Sequence, residues 1–186
     1  MGKTIIFLDI DGVLNSYDST SRIGRIRGVD DEKIDCIKEI VDFLDAEIVL
    51  SSSWKAYWDK SLATDGVNNW RGNSPKRDGR YVNIKLGRRG VKISDKTPDI
   101  TWRFRAKEII RYLENNDADR ILILDDEEFA WSTYGLKQYW INTVRMDGPY
   151  FNEGLTPEIV NEIKLLADKG ALDFSKDRGE VAKFFK

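Results

Sequence analysis

An α/β fold built on a parallel sheet is the class this sequence predicts, on three observations. Residues 4–8 (TIIFL), 46–50 (AEIVL) and 120–124 (RILIL) are short apolar runs rich in β-branched side chains, as strands covered on both faces must be. Segments with apolar residues at three- and four-residue steps separate them. Each run also ends in polar side chains: Asp9 and Asp11, Ser51 to Ser53, Asp125 and Asp126. Strands alternating with helices in this way give parallel pairing with right-handed crossovers.

Taken in order, the first helix spans 31–45, with Ile34, Ile37, Val41 and Leu44 on one stripe and Asp30 or Asp31 as its cap. Cys36 lies within it and reads as a small filler of the core or its boundary. Segment 102–116 (WRFRAKEIIRYLENN) is the next clear helix, through Ile109, Ile110 and Leu113, and YWINTV at 139–144 is a fourth strand. In LTPEIVNEIKLLADKG, 155–170, Thr156 is the cap, Pro157 takes the first helical position and Gly170 is the stop. Residues 55–100 break the rhythm, with only weak strand signals near 81–86 and 91–94. A structureless loop of that length is improbable, so an insertion or small cap is expected there. The expected layout is one domain over 1–172 and a C-terminal tail over 173–186, whose Val181, Phe184 and Phe185 dock on the domain or on a partner.

Composition excludes several chemistries. Hydrophobic residues at 41% supply a sizeable core, and charged residues at 33% are well mixed, which is a globular rather than a disordered balance. The chain has no His, so Ser-His-Asp and Cys-His catalysis are excluded and acid–base work falls to carboxylates, Lys or Tyr. The single Cys36 cannot form an internal disulfide or seed a Cys/His zinc site. No stretch approaches the ~20 apolar residues of a membrane span. The first apolar run is too short for a secretory signal, and Ile6 stands where a myristoylation signal needs Ser or Thr. A cytoplasmic protein with no membrane partner is the expectation, and nothing in the sequence speaks to its oligomeric state.

In a parallel α/β sheet, ligands bind beyond the carboxyl ends of the strands. Four carboxylates, Asp9, Asp11, Asp125 and Asp126, would converge there with the serines. Side chains two apart in an extended segment share a side, so Asp9 and Asp11 can face one site while Ile10 faces away. Like charges about 6 Å apart repel by roughly 3 kcal/mol at an effective dielectric near 20. A hard divalent cation relieves this, and all-oxygen ligation suits Mg²⁺. A strand ending in Asp-x-Asp-Gly, in a chain without His, therefore suits a carboxylate nucleophile acting on a phosphate beside Mg²⁺. Asp9 would attack phosphorus and form an aspartyl-phosphate, and Asp11 would exchange protons with the leaving group and with water. Gly12 frees the turn to bring backbone N–H groups near phosphoryl oxygens. An EF-hand loop fits badly, because Gly12 follows the second Asp directly and a strand comes before it. A receiver domain opens with an adjacent acidic pair and takes its phosphate on a later strand, so the order here is wrong for one.

The ordered set FLDIDGVLNS, IVLSSSWK, TP at 97–98 with RAKEIIRYL, then ILILDDEE resembles the four motifs of the haloacid dehalogenase (HAD) superfamily of phosphotransferases. GLTPEIVNEI is similar to its usual closing helix. In detail the chain looks like small phage and bacterial members related to the HAD domains of Swiss Army Knife RNA-repair proteins. The resemblance implies a Rossmann-like three-layer α/β/α fold, with the insertion between motifs two and three. It also implies a Mg²⁺-dependent phosphomonoester hydrolase with Asp9 as nucleophile and Asp11 as acid/base. Ser52 would hold a phosphoryl oxygen, with Ser51 and Ser53 as alternatives. Either Lys107 or Arg105 would be the neutralising base. Asp125 would ligate the metal with Asp9 and Asp11, supported by Asp126.

What covers the site decides what enters it. From Arg71 to Lys107 the chain has twelve Lys/Arg and three Asp, a balance of +9, so with a net charge of −2 the rest carries −11. Lys76, Arg77, Arg80, Arg88, Arg89 and Lys92 would attract a polyanion, and Trp58, Trp70 or Trp102 would stack a base at roughly 1–3 kcal/mol each. Trp54 is expected to pack beside the site. A phosphorylated small molecule, a nucleotide or a nucleic-acid end is the expected substrate class. The competing reading is a non-catalytic phosphate- or nucleic-acid-binding module on the same fold.

Overall fold

The computed structural model describes residues 2–23, 25–58, 77–100, 104–147 and 150–185. Its elements in chain order are β1 (Thr4–Leu8), the antiparallel pair β2 (Arg22–Ile23) and β3 (Ile26–Arg27), α1 (Asp31–Leu44) and β4 (Ala46–Leu50). Next come α2 (Arg77–Gly87), β5 (Ile93–Lys96), α3 (Arg105–Asn115), β6 (Arg120–Asp125) and β7 (Trp140–Asn142). The hairpin β8 (Val144–Asp147) and β9 (Tyr150–Glu153), then α4 (Pro157–Asp168) and α5 (Arg178–Ala182), complete the chain.

Five strands form one parallel sheet in the order β5-β4-β1-β6-β7. Thr4 pairs with Ala46 and Arg120, and the register runs unbroken to Leu8 beside Leu50 and Leu124. Because strand side chains alternate between faces, Ile6 and Leu8 meet Ile34, Ile37 and Ile40 of α1 and Ile159, Val160 and Ile163 of α4. Ile5 and Phe7 meet Ile109 and Leu113 of α3, together with Trp131, Tyr139 and Phe174. Both faces are covered, which is why the central strand carries no alternating polar positions. These are the three layers the sequence predicts.

Two expectations change. Residues 81–86 lie in α2, not in a strand. Val82, Ile84 and Leu86 alternate as in a strand, yet Tyr81, Val82 and Leu86 are buried while Ile84 is only partly so. The helical choice is locked onto α1, where Lys85 pairs with Asp31 at 2.6 Å and Arg89 pairs with Asp31 and Asp35. The stretch 139–144 is divided between two sheets. β7 stops at Asn142, whose side chain accepts from the Val144 N–H at 2.9 Å, and β8 turns away to pair with β9.

The segment expected as an insertion is in part main-domain structure. β5 forms an edge of the sheet, Val91 and Ile93 join the core, and Trp58 is buried with its indole N–H donating to Asn83 at 2.9 Å. Trp58 is therefore core and not a base-stacking platform. Trp70, Trp102, Lys76 and the side chain of Arg77 lie outside the described residues.

The C-terminal tail docks on the domain. Val181 is buried in the α3-side core, and the Phe184 ring meets Tyr134 edge-on at 5.2 Å. Truncation before Arg178 is expected to cost about 3 kcal/mol, from one buried Val and two partly buried Phe. At this chain length that is a drop of roughly 6–12 °C in the thermal midpoint. Calorimetry checks this, and a midpoint within about 2 °C of wild type would show that the tail contributes nothing.

From β1 the chain travels out to β4 and β5, then returns across the sheet to β6 and β7. The order reverses between β1 and β6, so their carboxyl ends frame a crevice.

Candidate active site

Sheet hydrogen bonding continues one residue beyond the central strand. The Asp9 N–H donates to the Leu124 carbonyl at 3.0 Å, and the Ser51 N–H donates to the Leu8 carbonyl at 2.8 Å. Asp9, Ser51 and Asp125 therefore stand side by side at the crevice. Asp9 is 4% exposed and Asp125 is 1% exposed. Arg105, the first residue of α3, reaches both: one guanidinium nitrogen donates to Asp9 Oδ2 at 2.7 Å and to Asp125 Oδ2. The Phe129 ring lies against that guanidinium, 4.4 Å from its central carbon. Asp126 completes the group, and Asp9, Asp125 and Asp126 each offer an oxygen within 4.8 Å of the others.

Burial raises the Asp9 carboxyl above its ordinary value, with Arg105 and Ser52 pulling the other way. Asp125 is raised well above its own, by burial and then by the charge on Asp9. Burial also opposes the charge on Arg105, but attraction to both acids outweighs it, and the guanidinium stays ionised. Three carboxyl groups gathered at one guanidinium are hard oxygen donors whose charged forms a divalent cation would favour, and the set fits a cation such as Mg²⁺.

Asp11 is held separately. Its Oδ1 accepts from Asn15 Nδ2 at 2.9 Å and its Oδ2 from the Trp54 indole N–H at 2.8 Å. Asn15, fully buried, also accepts from the Gly12 N–H at 3.0 Å. Asp11 was expected among the metal ligands; its carboxylate, turned to these donors, is not among the three acids whose oxygens converge. Trp54 packs beside the site, and its link to Asp11 gives it a polar task as well.

Gly12 has φ +68°, and a Cβ there would lie 2.3 Å from Asp126 Oδ2. Gly12→Ala is expected to cost about 1–2 kcal/mol in backbone strain and to push Asp126 out of the cluster. Mg²⁺-dependent stabilisation measured by thermal shift should be lost in this variant. An unchanged shift would show that Asp126 is not required.

The three serines separate by environment. Ser52 is buried beside Asp9, whose carboxyl it helps to lower, and accepts from the Trp54 N–H at 3.3 Å to cap a 3-10 turn, Ser53–Tyr57. Ser51 is buried with no partner for its hydroxyl among the described residues, and Ser53 is exposed. Of the two candidate bases, Arg105 meets the acids, whereas Lys107 is exposed and lies over the Phe104 ring at 4.7 Å. Residues two apart on a helix point to nearly opposite sides, so only one of the pair can face the crevice.

Sequence reasoning missed Lys55. Its ammonium is buried against Glu108 at 2.5 Å, Thr97 Oγ1 at 3.1 Å and the Pro98 carbonyl at 3.0 Å. The one available signal was Glu108, a carboxylate beside Ile109 and Ile110 on the apolar side of its helix.

The model of a family described as the HAD domain in Swiss Army Knife RNA repair proteins matches residues 5–153. No curated protein and no solved structure matches the chain.

Proposed function

The chain belongs to the family of HAD domains found in Swiss Army Knife RNA repair proteins, and from that premise we propose that it is a Mg²⁺-dependent phosphomonoester hydrolase. Membership gives an enzyme of the hydrolase and phosphatase kind with a divalent-metal habit. The observation that carries the finer reading is the division of labour among the acids. Asp9 sits in the charged cluster at the strand tip, held by Arg105, while Asp11 stands apart on donors of its own.

Asp9, Asp125 and Asp126 would hold Mg²⁺, which would offset the charge of the acids and the phosphoryl group. An Asp9 carboxylate oxygen attacks phosphorus, the bond from phosphorus to the ester oxygen breaks, and the Asp11 carboxyl gives its proton to that leaving oxygen. Water then attacks the phosphorus of the aspartyl-phosphate and gives a proton to Asp11, and the bond to Asp9 breaks to release phosphate. Arg105 neutralises charge beside the nucleophile. The hydroxyls of Ser52 and Ser51 supply donors to a phosphoryl oxygen. Asn15 and Trp54 keep Asp11 turned to its task.

A nucleotide or a nucleic-acid end is the proposed substrate class. The family's occurrence in RNA repair proteins supports it, as do the exposed Arg88 and Lys92. Arg89 and Lys85 contribute less, because acids of α1 already neutralise them. Arg88→Glu is expected to raise KM for a phosphorylated oligonucleotide about tenfold while leaving p-nitrophenyl phosphate unaffected, and equal effects on both would remove Arg88 from substrate guidance.

The deciding assay measures phosphate release from p-nitrophenyl phosphate and from 5′- and 3′-phosphorylated oligonucleotides, with Mg²⁺ and with EDTA. Mg²⁺-dependent release is expected. No release from any of them would favour the non-catalytic binding module.

A further inference from the structure

Lys55 and Glu108 are charged, buried and outside the chemistry described above, with side chains only 7% and 4% exposed. Three pieces of chain meet at this pair. Lys55 lies in the turn whose cap is Ser52, and its N–H donates to the Ser52 carbonyl at 3.0 Å. Its ammonium holds Thr97 and Pro98, which follow β5. Glu108 takes that ammonium on Oε2 and the Ile100 N–H on Oε1 at 3.1 Å, binding the connection into α3. The Lys55 carbonyl in turn accepts from Lys96 Nζ at 2.8 Å.

Glu108 is three residues from Arg105, one helical turn along the same side of α3. A rotation of α3 that freed Glu108 would carry Arg105 away from Asp9 and Asp125. A buried ion pair is a weak device for stability, because apolar residues of similar volume do as well or better. Its distinguishing property is direction. We propose that Lys55 and Glu108 are a positioning pair that fixes the start of α3, so that Arg105 addresses Asp9 and Asp125 together. The inference rests on the hydrolase reading for its kinetic consequence but not for its structural one.

The test is the double variant Lys55→Met/Glu108→Leu, which removes both charges and keeps the volume. Thermal unfolding establishes that it folds. Solvent exchange of the Arg105 guanidinium protons, followed by ¹⁵N NMR without metal or substrate, reads the position of Arg105. Steady-state kinetics with p-nitrophenyl phosphate and Mg²⁺ read the consequence. The expected result is a folded protein whose Arg105 exchange is at least about tenfold faster than wild type. Its kcat should fall by about 10- to 100-fold with KM changed less than about threefold, as misplacement of a catalytic group predicts. A folded double variant with wild-type exchange and wild-type kcat would overturn the proposal. If it does not fold, Glu108→Gln, which keeps shape and one acceptor, bears the same comparison: faster Arg105 exchange supports the pair and unchanged exchange overturns it. If wild-type protein hydrolyses no phosphate ester, the hydrolase reading fails, and Arg105 exchange alone decides the positioning pair.

Discussion

Asp9→Asn is expected to lower the Mg²⁺-dependent hydrolysis of p-nitrophenyl phosphate by at least about a thousandfold, or roughly 4 kcal/mol in the barrier. The amide keeps the shape of the carboxylate but cannot form an aspartyl-phosphate, and it would be a weaker ligand for the proposed metal. Stability should barely change. Burial already disfavours the charged form of Asp9, so a neutral side chain removes an unfavourable charge while giving up one bond to Arg105. Initial rates and a thermal midpoint measured on the same preparations check both halves. A variant retaining a tenth of the wild-type rate would remove Asp9 from the role of nucleophile.

Lys55→Met should be the most damaging single change to stability outside the apolar core. Truncating one partner of a buried pair leaves the other charged and unsolvated, at about 3–5 kcal/mol. For a chain of this size that is a fall of roughly 6–20 °C in the midpoint. Chemical denaturation gives the same quantity directly. A loss under about 1 kcal/mol would mean that Glu108 is not the buried anion described above. Arg88→Glu, on an exposed position, sets the scale for comparison at no more than about 0.5 kcal/mol.

Much of the scaffold is legible in the chain because the central strand and its two neighbours are buried on both faces. TIIFL, EIVL and ILIL are short and rich in β-branched residues, which favours interior strand over buried helix, and their polar ends mark the crevice. Thr156 and Pro157 announce α4 by local chemistry, and the Thr156 hydroxyl indeed accepts from the Ile159 N–H at 3.4 Å. α2 is not legible in this way, since its apolar residues alternate as in a strand and its buried side, Tyr81, Val82 and Leu86, is defined only by packing on the core beside α1. The charge excess of the 71–107 segment is legible only as a sum: a count along the chain cannot see that Lys85 and Arg89 answer acids of α1 while Arg88 and Lys92 are exposed. Helix geometry brings Arg105 to the acids and turns Lys107 to the Phe104 ring, a difference that their spacing of two residues could not rank. Lys55, following three serines and a Trp, looks like an ordinary solvated lysine until Glu108 is placed beside it.

The two margins of the sheet are short, four residues in β5 and three in β7. The first carries Asp95 and Lys96, and the second ends where the Thr143 hydroxyl donates to the Gly12 carbonyl at 2.6 Å. Brief borders with charge on one side and an anchored stop on the other give a neighbouring molecule little backbone to template upon. Among the described residues, the sheet is thereby self-limiting at both of its borders.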